Sequence, residues 1–276
     1  MIDLAYFAPV MVGGALAGAS TGLLGAYIVG MRIPFLGVCV SHAALAGAVF
    51  GALAGLEGMA LLVPAIVGAG ATALALGLAD PETFRTDSNV AIGFLFGLSM
   101  GLAFLGIGLF GTLGKSDNEV RGLLWGSLNF CRWRDVVLMA ATGGALLLFL
   151  MAFYKEMRAI LFSRLHAAAS GIHVVGVWSA FLVLTSAVLT VNFQTVGGLM
   201  IYSLMVNPAA AAFLLARGHG RTLALSGLLG GLSGVGGFLI AALLDLPTGA
   251  VIVLVSSALV GVAAAAARLR RRAPAD

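Results

Sequence analysis

"FLGVCVSHAALAGAVFGALAG", Phe35 to Gly55, decides how the rest of the chain is read. A helix needs about 20 mainly apolar residues to cross a bilayer, and this run supplies them. Inside it sit His42 and, three residues earlier, Cys39. Residues three apart share a helix face, so an imidazole and a thiol are placed together about 10 Å into the span, at 1.5 Å per residue. Ionisable groups at that depth are costly and normally face a bundle interior or a water path.

The surrounding chain has the same character. Of 276 residues 61% are hydrophobic and only 9% charged, with mean hydropathy +1.10. A soluble chain carries about 25% charge, so these few charges cannot cover a water-exposed surface. A transmembrane β-barrel would show segments of roughly 10 residues with alternating polarity, and none is visible. The class is an all-α polytopic transmembrane helix bundle, read as one transmembrane domain over residues 1–276.

Nine spans are expected, at roughly 5–30, 35–55, 59–79, 90–113, 136–153, 174–191, 196–216, 222–244 and 248–267, with eight to ten as the range. "MIDLAYFAPV", Met1 to Val10, lacks a basic leader and cleavage site and reads as the start of the first span. "GLLWGSLNF", Gly122 to Phe130, is too short to cross and reads as an interfacial or re-entrant helix.

Charge placement orients the bundle. With the C-terminus inside, 11 of the 15 Lys and Arg residues fall on inside segments, ending in the basic tail 268–276 with "RLRRR" (Arg268 to Arg272). The four outside positives, Lys115, Arg121, Arg132 and Arg134, all fall in 115–135. The net charge of +4 therefore reads as anchoring at anionic headgroups, not nucleic-acid binding. Cys39 and Cys131 are far apart and predict no structural disulfide.

Glycines recur four apart in three rows: Gly14/Gly18/Gly22, Gly47/Gly51/Gly55 and Gly93/Gly97/Gly101. Such rows let helix backbones approach closely. No GxxxxGK[ST] loop is present, so the chain is not expected to hydrolyse ATP itself. It also lacks a dense cluster such as HExxH, and no catalytic residue is assigned. Its Asp and Glu residues lie at or near span ends, unlike the intramembrane acids of secondary transporters.

Three features carry candidate chemistry. Thiolate and neutral imidazole both suit zinc and other late first-row metals, so His42 and Cys39 are candidate ligands. The alternative is a His42 hydrogen bond between helices with Cys39 as a small buried filler. "QTVGGLMIYSLMVNPAAAAFLLAR", Gln194 to Arg217, holds Pro208 within a span, preceded by Asn207. A proline break with polar neighbours suits a transport pathway; the alternative is a kink with Asn207 bridging helices. "YKEMRAILFSRLHAAASGIHVVG", Tyr154 to Gly176, is basic and amphipathic. It could lie at the interface, with or without a soluble partner docked on it.

Taken together, these pieces resemble the zinc/manganese family of ABC-transporter permeases. "RIPFLGVCVSHAALAGAVFG" resembles that family's second-span motif, in which an aromatic-Gly-Asp stretch leads to Ser/Ala-His-Ala. "VGGLMIYSLMVNPAAAAFLLAR" is similar to its Pro-Ala-Ala span, "LLWGSLNFCRWRDV" to its interfacial piece, "LFSRLHAAASG" to its coupling segment (about 156–171), and "DLPTGAVIVLVSSALV" to its last span. The resemblance covers nearly the whole chain. It implies a multi-pass subunit of a bacterial inner-membrane importer for a divalent transition metal; the softer Cys39 thiol near the place of a hard carboxylate puts zinc ahead of manganese or iron. It also implies a homodimer, a cytoplasmic ATPase pair that binds ATP, an extracytoplasmic metal-binding protein, and no permanent cofactor. His42 matches the family's path-lining His, while the paired Asp falls on Val38. Cys39 and Asn207 are the other residues assigned to the translocation path. Phe162, Ala167 and Gly171 match the coupling segment, with Ser163 and Arg164 between them and Ser163 and Leu165 replacing its usual acids. The alternatives are a permease of the same fold for a chelated metal or other small solute, or a non-transporting membrane scaffold.

Overall fold

In a computed structural model of the chain, residues 7–78, 88–114 and 128–272 are described. Among them the regular structure is helical: α1 Ala8–Gly30, α2 Leu36–Leu53, α3 Leu62–Leu78, α4 Ser88–Thr112, α5 Trp133–Ala152, α6 Tyr154–Phe162, α7 Arg164–Ala169, α8 Val174–Val196, α9 Gly198–Leu215, α10 His219–Leu244 and α11 Thr248–Arg272. Short 3-10 turns occupy Gly58–Leu61 and Leu128–Phe130. Eight helices are long and apolar enough to cross a membrane, and α9 is a shorter apolar helix. The interfacial helix expected at 122–130 lies outside the described residues except for its last three. Lys115, Arg121, Arg85 and the end of the basic tail, 273–276, also lie outside them.

The boundaries follow backbone chemistry. A bilayer offers no water to backbone groups, so a spanning segment must satisfy its own hydrogen bonds as a helix. Pro64 sits in the first turn of α3, where a missing N–H costs nothing. Pro208 lies inside α9, which continues through it to Leu215. Gly197, at φ +94, ends α8, so the sixth span extends to Val196, beyond the expected 191.

The chain forms two compact units, each discontinuous in sequence. The first comprises Met1–Pro34, Ser127–Ala140 and Leu199–Asp276. Its centre is the antiparallel pair of α1 and α10. Gly14 meets Gly234, Gly18 meets Gly230 and Gly22 meets Ser226, backbone against backbone. A Cβ at Gly18 would overlap the carbonyl oxygen of Gly230. The Ser226 hydroxyl donates to the Gly22 carbonyl at 2.5 Å across this seam. With no hydrophobic drive between helices in lipid, such close packing and interhelical hydrogen bonding supply the association. α11 packs on α10 where Gly237 faces Ile252.

The second unit comprises Phe35–Gly126 and Ala141–Gly198. Here α2 is the central helix. α3 lies antiparallel to it, with Gly47 against the Pro64 carbonyl and Gly68 against that of Ala43. α4 packs on α2 with Gly106 under Val49, and α8 packs on α3 where Gly77 meets Ser179. The third glycine row behaves differently from the first two. Nothing lies within 4 Å of a Cβ built at Gly93, Gly97 or Gly101, so that row does not pack within the chain. Gly55 also has open space, because it serves as a φ +90 turn after α2.

Candidate translocation and coupling sites

α2 carries both groups singled out in the second span, but places them differently. Cys39 is fully buried, whereas His42 and Val38 are half-buried. His42 Nδ1 lies 2.9 Å from the Val38 carbonyl oxygen. A carbonyl can only accept, so neutral His42 carries its proton on Nδ1 and leaves the Nε2 lone pair available. That is the arrangement by which a backbone oxygen orients a metal-binding histidine. Phe96 of α4 stands edge-on to the imidazole, with centroids 5.1 Å apart and planes at 78°. Phe35 in turn stands edge-on to the Phe96 ring, with centroids 4.9 Å apart. The imidazole is thus held by one hydrogen bond and one aromatic edge. Ser41, next to His42, has a buried hydroxyl without a hydrogen-bond partner. Sequence reading had singled out neither Phe96 nor Ser41. Phe96 is far from His42 in the chain, and Ser41 gives no local signal beyond its place in "SHA".

Asn207 belongs to the first unit and lies one residue before Pro208 in α9. Its Nδ2 donates to Ser256 Oγ at 3.0 Å and Ser257 Oγ at 3.1 Å, both in α11. Ser256 donates its own proton to the Val253 carbonyl at 2.9 Å, so it must accept from Asn207. That fixes which end of the amide faces the serines and leaves Oδ1 pointing elsewhere. Asn207 does bridge two helices, while its oxygen stays free among the described residues. No group of three or more His, Cys, Asp or Glu residues among the described residues could hold a metal ion.

The expected coupling segment forms two short helices, α6 and α7. Ser163, extended at φ −163, breaks them apart and caps α7 by accepting from His166 N–H at 3.3 Å. Met157 and Ile160 of α6 and Ala167 of α7 are buried and turn inward. Phe162 and Leu165 point out, 84% and 67% exposed. Arg164 lies over the Trp178 ring of α8, 4.8 Å from its centroid, tying the segment to a spanning helix through a cation–π contact. α7 ends in a two-bond turn: Ile172 N–H reaches the Ala167 carbonyl and Gly171 N–H the Ala168 carbonyl. This closure requires a left-handed residue, and Gly171 sits there at φ +82. Phe162, Ser163, Arg164, Ala167 and Gly171 are therefore brought together as one surface device. It combines a break, a cap, an anchor and an outward apolar pair.

Cys131, between the Leu128–Phe130 turn and α5, is buried beside Gly13. Burial, with a smaller contribution from the Asp135 carboxylate, pushes its thiol up to about 11. It is a protonated filler at neutral pH.

The profile of the ABC 3 transport family matches residues 3–267. A manganese transport system membrane protein, MntC, of Halalkalibacterium halodurans is 27% identical over 263 residues, covering 95% of this chain and 88% of its own. A zinc transport system membrane protein, TroC, of Treponema pallidum is 29% identical over 252 residues, covering 89% and 84%. The solved structure of PsaBC from Streptococcus pneumoniae in complex with Fab superposes with TM-score 0.78 at 23% identity, covering 94% of this chain and 90% of that one.

Proposed function

The chain belongs to the ABC 3 transport family, and on that premise we propose that it is the membrane permease subunit of an importer for a divalent transition metal, manganese ahead of zinc. The observation that carries the metal reading is His42, an ionisable group within a span whose Nδ1 is held by the Val38 carbonyl and whose Nε2 is left free to bind. The zinc-first order rested on Cys39 beside His42. Cys39 is fully buried, so the softer ligand that would favour zinc does not reach an open face. The manganese transport system membrane protein of Halalkalibacterium halodurans, to which the chain is similar, supports manganese first.

In this mechanism a soluble ATPase pair binds ATP and rocks two permease copies. Phe162 and Leu165 seat the ATPase, and Arg164 carries the motion to α8 through Trp178. His42 gives the ion transient coordination, and buried Cys39 takes no part. The C-terminus lies on the cytoplasmic side of a bacterial inner membrane, as the excess of inside arginines supports. An extracytoplasmic binding protein delivers the metal. No resident cofactor is needed and no chemistry occurs on this subunit.

Vesicles holding the chain with its ATPase, supplied with the metal-loaded binding protein outside, should accumulate manganese only with ATP on the ATPase side, and zinc should compete. ATP-independent uptake, or none for either metal, would refute the reading. The carboxylate missing at Val38 favours one other reading, a chelated metal as cargo. Metal bound to the cognate binding protein together with an organic chelator would support it.

A further inference from the structure

We propose that the groove where α9 ends, α10 begins and α11 ends binds the phosphate headgroup of an anionic membrane lipid. The groove has a volume of about 1070 Å³, and its polar lining includes Arg217, Arg221 and Arg270. No acidic residue lines it. None of the three guanidinium groups has a carboxylate partner among the described residues; Arg270 only donates to the Leu215 carbonyl, at 3.5 Å. Three uncompensated cations converge here.

The backbone adds to the positive field. α10 begins at His219 after Gly218, with no side-chain cap, and Arg217 and Arg221 of the groove flank this helix start. An uncapped N-terminus carries partial positive charge and favours phosphate. Guanidinium groups hold phosphate oxygens in a bidentate fork.

The apolar lining argues for a lipid and against a soluble anion. Phe213 and Leu214 of α9 are each 43% exposed, and Leu228 of α10 is 60% exposed. α10 is a spanning helix, so this wall runs from the arginines toward the hydrocarbon. A headgroup on the arginines would lay its acyl chains against those side chains. Basic pockets between spanning helices are the usual form of such lipid sites.

The test is native mass spectrometry of the full chain in detergent, with phosphatidylglycerol, phosphatidylcholine or millimolar inorganic phosphate added. Phosphatidylglycerol should be retained about tenfold better than phosphatidylcholine, and inorganic phosphate should not displace it. Each arginine near a lipid surface contributes about fivefold in affinity, so the variant R217Q/R221Q/R270Q should lose the preference entirely. The control R132Q/R134Q, which removes two positives elsewhere, should keep it. If the triple variant fails to accumulate, R221Q alone should lower the ratio about fivefold. Equal retention of the two lipids by the unmodified chain would overturn the proposal. So would a preference that survives the triple change, displacement by inorganic phosphate, or a groove covered by a second copy in crosslinking.

Discussion

His42 Nδ1 and the Val38 carbonyl oxygen lie 2.9 Å apart, one turn from each other on α2. The same two positions are where the resemblance to metal permeases both holds and departs: the histidine is kept, and the carboxylate one turn earlier is replaced by valine. With the side chain apolar, Val38 contributes through its backbone instead. Its carbonyl fixes the imidazole tautomer.

The packing of the glycine rows makes a direct prediction. A Cβ at Gly18 meets the backbone of Gly230, whereas one at Gly97 meets nothing within 4 Å. Gly18→Leu should destabilise the chain by about 1–3 kcal/mol or prevent the α1–α10 seam from forming. Gly97→Ala should be neutral or gain about 0.5–1 kcal/mol from reduced backbone freedom. Thermal unfolding in detergent reads both. Equal losses would show that the third row also packs.

Phe162 separates docking from folding. At 84% exposure it holds little of the fold together, so Phe162→Ala should shift stability by no more than about 0.5 kcal/mol. Association with the ATPase should fall severalfold, read by co-purification. Retained association with normal ATPase activity would remove Phe162 from the coupling role.

Cys131 predicts a pH window. Its thiol is raised from the ordinary 9.0 to about 11 by burial and by Asp135. A pKa raised in the folded state means the folded chain binds more protons than the unfolded chain between those values, so stability falls as pH rises. The contribution is whole below pH 9 and lost as pH climbs from 9 toward 11. At pH 8 the native thiol should alkylate roughly a hundredfold more slowly than a free one. Rapid labelling of native Cys131 would contradict its burial.

The spans were legible because lipid imposes a length and a composition that a sequence displays directly. The break at Ser163 and the turn at Gly171 are not among the sequence expectations, although their residue types, a capping hydroxyl and a residue free to take positive φ, are the signals that carry them. What hydropathy could not carry was partnership. Gly18 and Gly97 sit in rows of identical spacing, and only the tertiary arrangement decides that one meets Gly230 and the other meets nothing. Asn207 reads as a polar oddity until Ser256 and Ser257, far along the chain, come to its amide. The exposure difference between Cys39 and His42 is likewise invisible in their three-residue spacing, because it depends on which neighbours α2 buries.

The central claim is that His42 passes the metal. Its most direct test is ATP-driven uptake of manganese and zinc, delivered by the binding protein, into vesicles carrying the unmodified or the His42→Ala permease with its ATPase, with ATPase association measured on the same preparation. Uptake of both metals should be abolished while the ATPase remains bound. Undiminished uptake of either metal by that variant would contradict the account.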